Sequence, residues 1–310
     1  VKSEKKASVS TGKKIDNIEF ILMALPAIVL LFVFSYWPMY GLIIAFKKFN
    51  PILGIEKSEW CGLSNFEFFF RSSDFIRVTR NTVGYSLVFL ILGTAASVIL
   101  ALLFYNLRSK AALKVYNTIV ILPKFMSMVL VAYVVYAILN PVSGVLNKLL
   151  VSLSMKKTID WYATPGAWPF ILVIVNLWST VGMNSILYYA ALMGIDMSLF
   201  EAAAIDGANK LQSTIHIAIP HLVSIISITS ILALGNLFSG DFGLFYQTTR
   251  DVGLLYPTTD IINTYVFRSL QGGEMARGAA VGLFQSVMGL IMVVSTNAVV
   301  KKISPENSLF

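Results

Sequence analysis

Six apolar runs, each near the ~20 residues needed to cross a bilayer, constrain this chain more than anything else in it. They fall at about 18–46, 82–105, 116–139, 168–192, 221–241 and 279–300 of 310 residues. With 56% hydrophobic residues, 13% charged residues and a mean hydropathy of +0.75, the expected class is an all-α, multi-pass membrane protein. The first run holds Pro26 and Pro38, so a kink or an early end is expected there. An even number of spans puts both termini on one side.

Charge sets the orientation. With the N-terminus inside, the inside segments hold 11 Lys/Arg and the outside segments 12, so density has to decide. The inside segments are shorter: a basic tail at 1–17, then Arg108, Lys110 and Lys114, then Lys301 and Lys302. Both termini are therefore read as cytoplasmic, with long outside loops at 47–81, 140–167 and 242–278. The net charge of +8 then belongs to topology and lipid headgroups, and nucleic acid is not an expected partner. The first loop carries Trp60 and the run Phe66 to Phe70, which suits a short interfacial helix or a cover over the outer mouth.

Several chemistries lack their residues. One cysteine, Cys61, permits no internal disulfide. No phosphate loop, nucleophile elbow or His-Glu-x-x-His zinc motif is present. Two histidines, His216 and His221, make too few ligands for a metal. Leu270 to Glu274 loosely mimics a nucleotide-contacting signature, but it lacks the serine and any phosphate loop to work with. The chain is expected to be no enzyme and to bind no cofactor or metal.

Between the fourth and fifth runs lies a polar, helix-forming stretch, Glu201 to Pro220. Ala202, Ala203, Ala204 and Ala208 favour helix and leave a thin surface. Ser198 and Glu201 have capping-box spacing. Asp206-Gly207 signals a turn, and Leu211, Ile215 and Ala218 resume helical spacing. Two short cytoplasmic helices over 198–220 are expected, exposed for a partner. Glu201 has two open roles there, cap or charge contact. Lys124, after Pro123 in the third run, either snorkels or lines a wet path.

Polar positions inside the runs are the candidates for a solute path. Asn176, Thr180, Asn184 and Tyr188 recur every four residues on the fourth span. Asn236 and Asp241 are placed on the fifth, and Gln285 on the sixth. Amides beside aromatic faces suit neutral sugars. The same residues also serve as hydrogen-bonding glue between membrane helices. Convergence on one cavity would favour the path.

Glu201-Ala202-Ala203, Gly207 and Ile217-x-x-Pro220 resemble the EAA---G---------I-LP motif of ATP-binding-cassette importer permeases, with Ile219 in place of leucine. Further matches resemble the carbohydrate importers of the polysaccharide and aldouronate type: Tyr36 to Gly41 with Ala45-Phe46 and Asn50-Pro51, Trp60-x-Gly62-Leu63-x-Asn65-Phe66, Gly182 to Ser185, Tyr265 to Arg268, and Ala279 to Phe284. The resemblance covers nearly everything from about residue 20 onward. It implies a type I importer permease fold of six spans in the bacterial cytoplasmic membrane. It also implies a second homologous permease as a heterodimeric partner, two ATPase subunits that bind ATP and Mg, and an extracytoplasmic solute-binding protein or lipoprotein that delivers an oligosaccharide. Glu201, Ala202, Ala203, Asp206, Gly207, Ile217 and Pro220 would couple to the ATPases. A non-sugar cargo, and a membrane scaffold or sensor that does not transport, remain open. An ion-coupled carrier would usually show repeats and intramembrane carboxylates.

Overall fold

The computed structural model describes residues 12–153 and 158–303. Most of the expected basic tail, residues 1–11, lies outside the described residues. Its last six residues open α1 (Gly12–Leu31). The apolar helix then runs on through a π turn at Phe32–Tyr36 and a 3-10 segment at Trp37–Phe46, so Pro38 changes the helix type without ending the rod. A two-residue ladder follows, with β1 (Lys47–Lys48) antiparallel to β2 (Glu59–Trp60) around α2 (Gly54–Lys57). The Lys47 ammonium is buried and closes the excursion by donating to the Ile55 and Glu56 carbonyls at 2.6 and 3.1 Å.

The aromatic run folds as α3 (Ser64–Arg71), the short helix expected in the first loop. Then α4 (Ser73–Tyr105) starts nine residues before the apolar run, because Ser72 caps it and its polar first turns are used for packing. After α5 (Lys110–Ile121) the third run breaks. Leu122–Phe125 is 3-10, Met126 and Ser127 are extended, and α6 (Met128–Leu139) leaves at 100° to the preceding piece. The expected span at 116–139 is therefore a bent pair of helices. Pro123 has no N–H to continue the ladder, and the Ser127 hydroxyl caps a fresh helix by accepting from the Leu130 amide. Lys124 sits exposed in the 3-10 turn that forms this break.

Next come α7 (Val145–Ser152), α8 (Trp168–Met193), α9 (Met197–Ile205) and α10 (Lys210–Ser213), which runs through a π turn at Thr214–Ala218 into α11 (Ile219–Gly235). The chain ends with α12 (Phe242–Thr249), α13 (Tyr256–Thr259), α14 (Ile262–Gln271) and α15 (Met275–Ile303). Among the described residues, five helices are long and apolar enough to cross a membrane, or up to six if the bent pair counts as one span. The fifth is shorter than the expected 221–241: α11 stops at Gly235, and Asn236 to Gly240 form its exit turn.

The long parallel pair α4 and α8, with Tyr85 beside Trp168 and Leu172 at one end and Ala101 beside Tyr188 and Leu192 at the other, is the backbone of the bundle. Gly182 lets α8 approach closely enough that a methyl group there would run into the Val120 carbonyl of α5. Three apolar clusters follow the pair. One gathers Tyr85, Val131, Trp168, Leu172, Leu244 and Phe245 toward the start of α8. A second joins Phe69 and Val78 to Phe238, Ile262 and Val281. The third packs Ala101, Tyr188, Leu192, Ala218 and Leu222 toward its end. Side chains such as Phe20, Met23 and Trp37 remain 69%, 79% and 72% exposed, which suits a rod facing lipid.

Candidate functional site

The middle of the bundle holds a cavity of about 410 Å³ between α4, α8 and the α11–α12 turn. Six of the seven candidate path residues line it: Asn176, Thr180, Asn184, Tyr188, Asn236 and Asp241. The four on α8 share one face because their spacing of four nearly matches the helical repeat. The Asn176 and Asn184 side chains have no hydrogen-bond partner among the described residues, so their amides are available to a ligand. Thr180 and Tyr188 are committed locally. The Thr180 hydroxyl donates to the Asn176 carbonyl at 2.7 Å, and the Tyr188 hydroxyl shares a 3.0 Å bond with Thr229.

Asn236 and Asp241 reach the cavity from a turn, not from a span as expected. Asn236 is the C-cap of α11, and its amide donates to the Leu232 carbonyl. Asp241 caps α12, its Oδ1 accepting from the Leu244 amide at 2.9 Å. Gln285 is elsewhere: it donates to the Asn263 amide oxygen at 2.9 Å and joins α15 to α14. It does not line this cavity, because the half-buried Asn263 amide takes its side chain instead.

The cavity also has a wall on α4, outside the polar stripe of α8. Thr82, Tyr85, Ser86, Phe89 and Thr94 of α4 face the α8 stripe, with Phe245 of α12 beside them. The Tyr85 and Phe245 rings meet edge-on at 4.7 Å. A signal existed: Thr82, Tyr85, Ser86 and Phe89 follow the i, i+3, i+4, i+7 pattern of one helix face. Aromatic planes opposite free amides give a concave surface with an apolar side and a few fixed polar groups, the usual make-up of a ligand site.

At the far end of α8 lies the Glu201–Pro220 segment. Asp196, not Ser198, caps α9: its Oδ1 accepts from the Ser198 amide at 2.9 Å. The expected Ser198–Glu201 capping box is thus corrected. The box that forms is Asn209 with Gln212 at the start of α10. The Ser198 amide, then its hydroxyl, hold the Asp196 carboxyl below the usual carboxylate range. Glu201, relieved of a capping duty, is exposed with no ion-pair partner among the described residues.

Helix α9 ends on a Schellman turn. The Ala208 amide donates to the Ala203 carbonyl at 2.9 Å and the Gly207 amide to the Ala204 carbonyl at 3.1 Å. Gly207 sits at φ +83°, where a side chain is strained, although a Cβ there would meet nothing within 4 Å. Around this turn a shallow hollow is lined by Ala203, Asp206, Gly207, Ala208, Gln212 and His216. Ile205 and Leu211, on the two helices that flank the turn, stand 87% and 67% exposed. Ile217 is half-buried and Pro220 lies in the first turn of α11, so the second part of the motif joins the surface turn to the bundle.

Comparison with known proteins agrees with this layout. Residues 93–305 match the model of the family described as binding-protein-dependent transport system inner membrane component. Protein LplB of Bacillus subtilis is 33% identical over 92% of this chain and 89% of its own length. The polygalacturonan/rhamnogalacturonan transport system permease protein YteP of the same organism is 32% identical over 95% and 91%. A permease chain from the structure of a bacterial alginate ABC transporter, in complex with an alginate pentasaccharide-bound periplasmic protein, superposes with a TM-score of 0.84 at 32% identity, covering 94% of this chain and 97% of that one. With an aromatic-walled cavity at its centre and the EAA turn at one end, the chain belongs to the binding-protein-dependent transport system inner membrane components, the permeases of ATP-binding-cassette importers.

Proposed function

We propose that this chain is one permease subunit of an importer that moves oligosaccharides across the bacterial cytoplasmic membrane. The observation that carries this reading is the convergence of Asn176, Thr180, Asn184, Tyr188, Asn236 and Asp241 on a single cavity faced by Tyr85, Phe89 and Phe245. Residues acting only as glue between helices would be scattered around the bundle, as Gln285 is. The names of relatives point the same way, since YteP is named for polygalacturonan and rhamnogalacturonan and the superposed permease for alginate.

In this reading the chain forms half of the pathway beside a homologous permease. An extracytoplasmic binding protein delivers the saccharide, and two ATPase subunits dock on the α9–α10 turn from the cytoplasm. ATP and Mg belong to those ATPases. Exposed Glu201, Ile205 and Leu211 offer a charge and two apolar contacts to the docking groove. Closure of the ATPases then biases the bundle between inward- and outward-facing states through Ile217 and Pro220. The direction of α8 supports this placing. Its 26 residues span ~39 Å, with the cavity in the middle and the turn at one end.

The test is to purify the tagged chain in mild detergent, identify its companions and assay uptake in vesicles containing the assembly. Recovery of a second permease and an ATPase, with ATP-dependent uptake of an oligosaccharide, is the expected result. Uptake restricted to a non-sugar solute would reassign the cargo. Companions without any uptake would leave a scaffold or sensor.

A further inference from the structure

Residues 258–262 join α13 to α14 and lie across the central cavity at the end where Thr258 bonds the Pro165 carbonyl, just ahead of α8. Ile261 in this strap is fully buried and forms part of the cavity wall. The α11–α12 turn presses on it, since a methyl group at Gly240 would come within 2.5 Å of the Ile261 side chain. From the other side, one strip of α4 holds the strap through polar bonds. The Asn81 amide donates to the Asp260 carbonyl at 3.0 Å and the Tyr85 hydroxyl to the Thr258 carbonyl at 2.7 Å. The Ile262 amide donates back to the Thr82 hydroxyl at 2.9 Å. Thr82, Tyr85 and Ile261 all line the cavity, so parting this seam would open it.

A ladder of ion pairs crosses the same seam. Five charges alternate along it, Asp74, Arg77, Asp260, Arg268 and Asp251, at successive distances of 2.8, 2.9, 2.5 and 3.1 Å. The Asp260 carboxylate in the middle is fully buried, and the two end carboxylates are partly exposed. Among the described residues, the Arg77–Asp260 rung is the ion pair that joins α4 to the strap. If that rung parts, Arg77 keeps Asp74 on its own helix and Asp260 keeps Arg268. Breaking a buried ion pair is costly chiefly because a charge is left without its counter-charge. Here both sides stay paired, so the rung can part and re-form. Two discrete arrangements, each with its charges matched, are what an element that switches between states requires.

We infer that residues 258–262 are a gate strap across the outer end of the pathway and that Arg77 is its latch. The Arg77–Asp260 rung holds the strap on α4 in the closed state and is the bond given up when the cavity opens outward. The inference rests on the importer reading for which end is the outer one.

The test uses right-side-out membrane vesicles carrying the assembled importer. Cys61→Ser removes the native thiol, and Ser86→Cys places one on the cavity wall. The rate at which a membrane-impermeant methanethiosulfonate labels that thiol from outside is measured. Arg77→Gln is expected to raise the rate about tenfold, the size of one lost charge-assisted contact, and Arg77→Lys to restore part of the protection. Asn81→Ala frees the same segment without touching a charge and should act in the same direction; it carries the test if Arg77→Gln does not assemble. Asp74→Asn loosens the ladder on the α4 side alone, so labelling should stay as slow as in the parent or become slower, because Arg77 then has only Asp260. Faster labelling in Asp74→Asn as well would mean general loosening and would overturn the latch, as would equal rates for Arg77→Gln and its parent. Uptake in the same vesicles is scored separately. A wild-type assembly that imports nothing would remove the importer reading, while the labelling rates still decide whether the strap is latched.

Discussion

The Arg268 guanidinium donates to the buried Asp260 carboxylate at 2.5 Å. Arg77 of α4 reaches the other oxygen at 2.9 Å, and the Thr264 hydroxyl adds a third bond at 2.9 Å. Burial alone would weaken the Arg268 charge, but the Asp260 contacts outweigh it and hold the guanidinium charged more firmly than usual. One carboxylate thus ties α4, α13 and α14 together at the Trp168 end of α8, where Thr258 also bonds the Pro165 carbonyl. Asp260→Asn would leave two partly buried arginines short of a counter-charge. It is expected to destabilise the protein by about 3–5 kcal/mol, read as a lower Tm in detergent, with Asp74→Asn on the same arginine far milder.

The turn at Gly207 separates folding from coupling. A Cβ there meets no neighbour, so Gly207→Val should insert and fold with a local backbone cost of about 1–2 kcal/mol. Docking of an ATPase on that turn should nevertheless fail, seen as basal ATP hydrolysis without uptake. Glu201 has no intramolecular bond to lose among the described residues, so Glu201→Gln should leave Tm unchanged and weaken only the coupling.

Asn184 and Gln285 look alike in sequence but sit in different places. Asn184 offers a free amide to the cavity, and Asn184→Ala should raise the KM for saccharide uptake about five- to tenfold with Tm nearly unchanged. Gln285→Ala removes the bond to Asn263 and should cost about 1 kcal/mol of stability with KM unchanged.

Asp196 gives a pH signature at the base of α9. Its carboxyl is held below its ordinary value in the folded state, so its capping contribution is present above the unfolded pKa of about 4. That contribution is lost as pH falls through the lower, folded value. Amide-exchange protection of Ser198 should therefore drop only in that acidic window, and Asp196→Asn should flatten the dependence.

Much of this molecule was legible in the sequence because bilayer length and helical spacing leave few choices. The apolar runs located every long helix, and the every-fourth stripe on α8 located one wall of the cavity. What stayed hidden depended on contacts between distant segments. Polar residues at the start of α4 do not look like part of a span, yet Asn81 and Thr82 bond the chain near Asp260 and make them so. Asp196 won the cap of α9 because its carboxylate reaches the Ser198 amide, and spacing rules rank Ser198 with Glu201 equally well. The third run reads as one span in the sequence, and only the Ser127 cap after Pro123 shows why it breaks at 100°.

The break has an electrostatic consequence. Because the third run restarts at Met128, the N-terminus of α6 is brought against Gly243 in the first turn of α12. Two helix N-termini, each equivalent to roughly half a positive charge, therefore converge near the Asp241 carboxylate. Backbone dipoles, with no lysine or arginine on the cavity wall, offset the negative field at its edge. A solute entering the bundle there meets the positive ends of two helices beside the carboxylate instead of a bare negative charge.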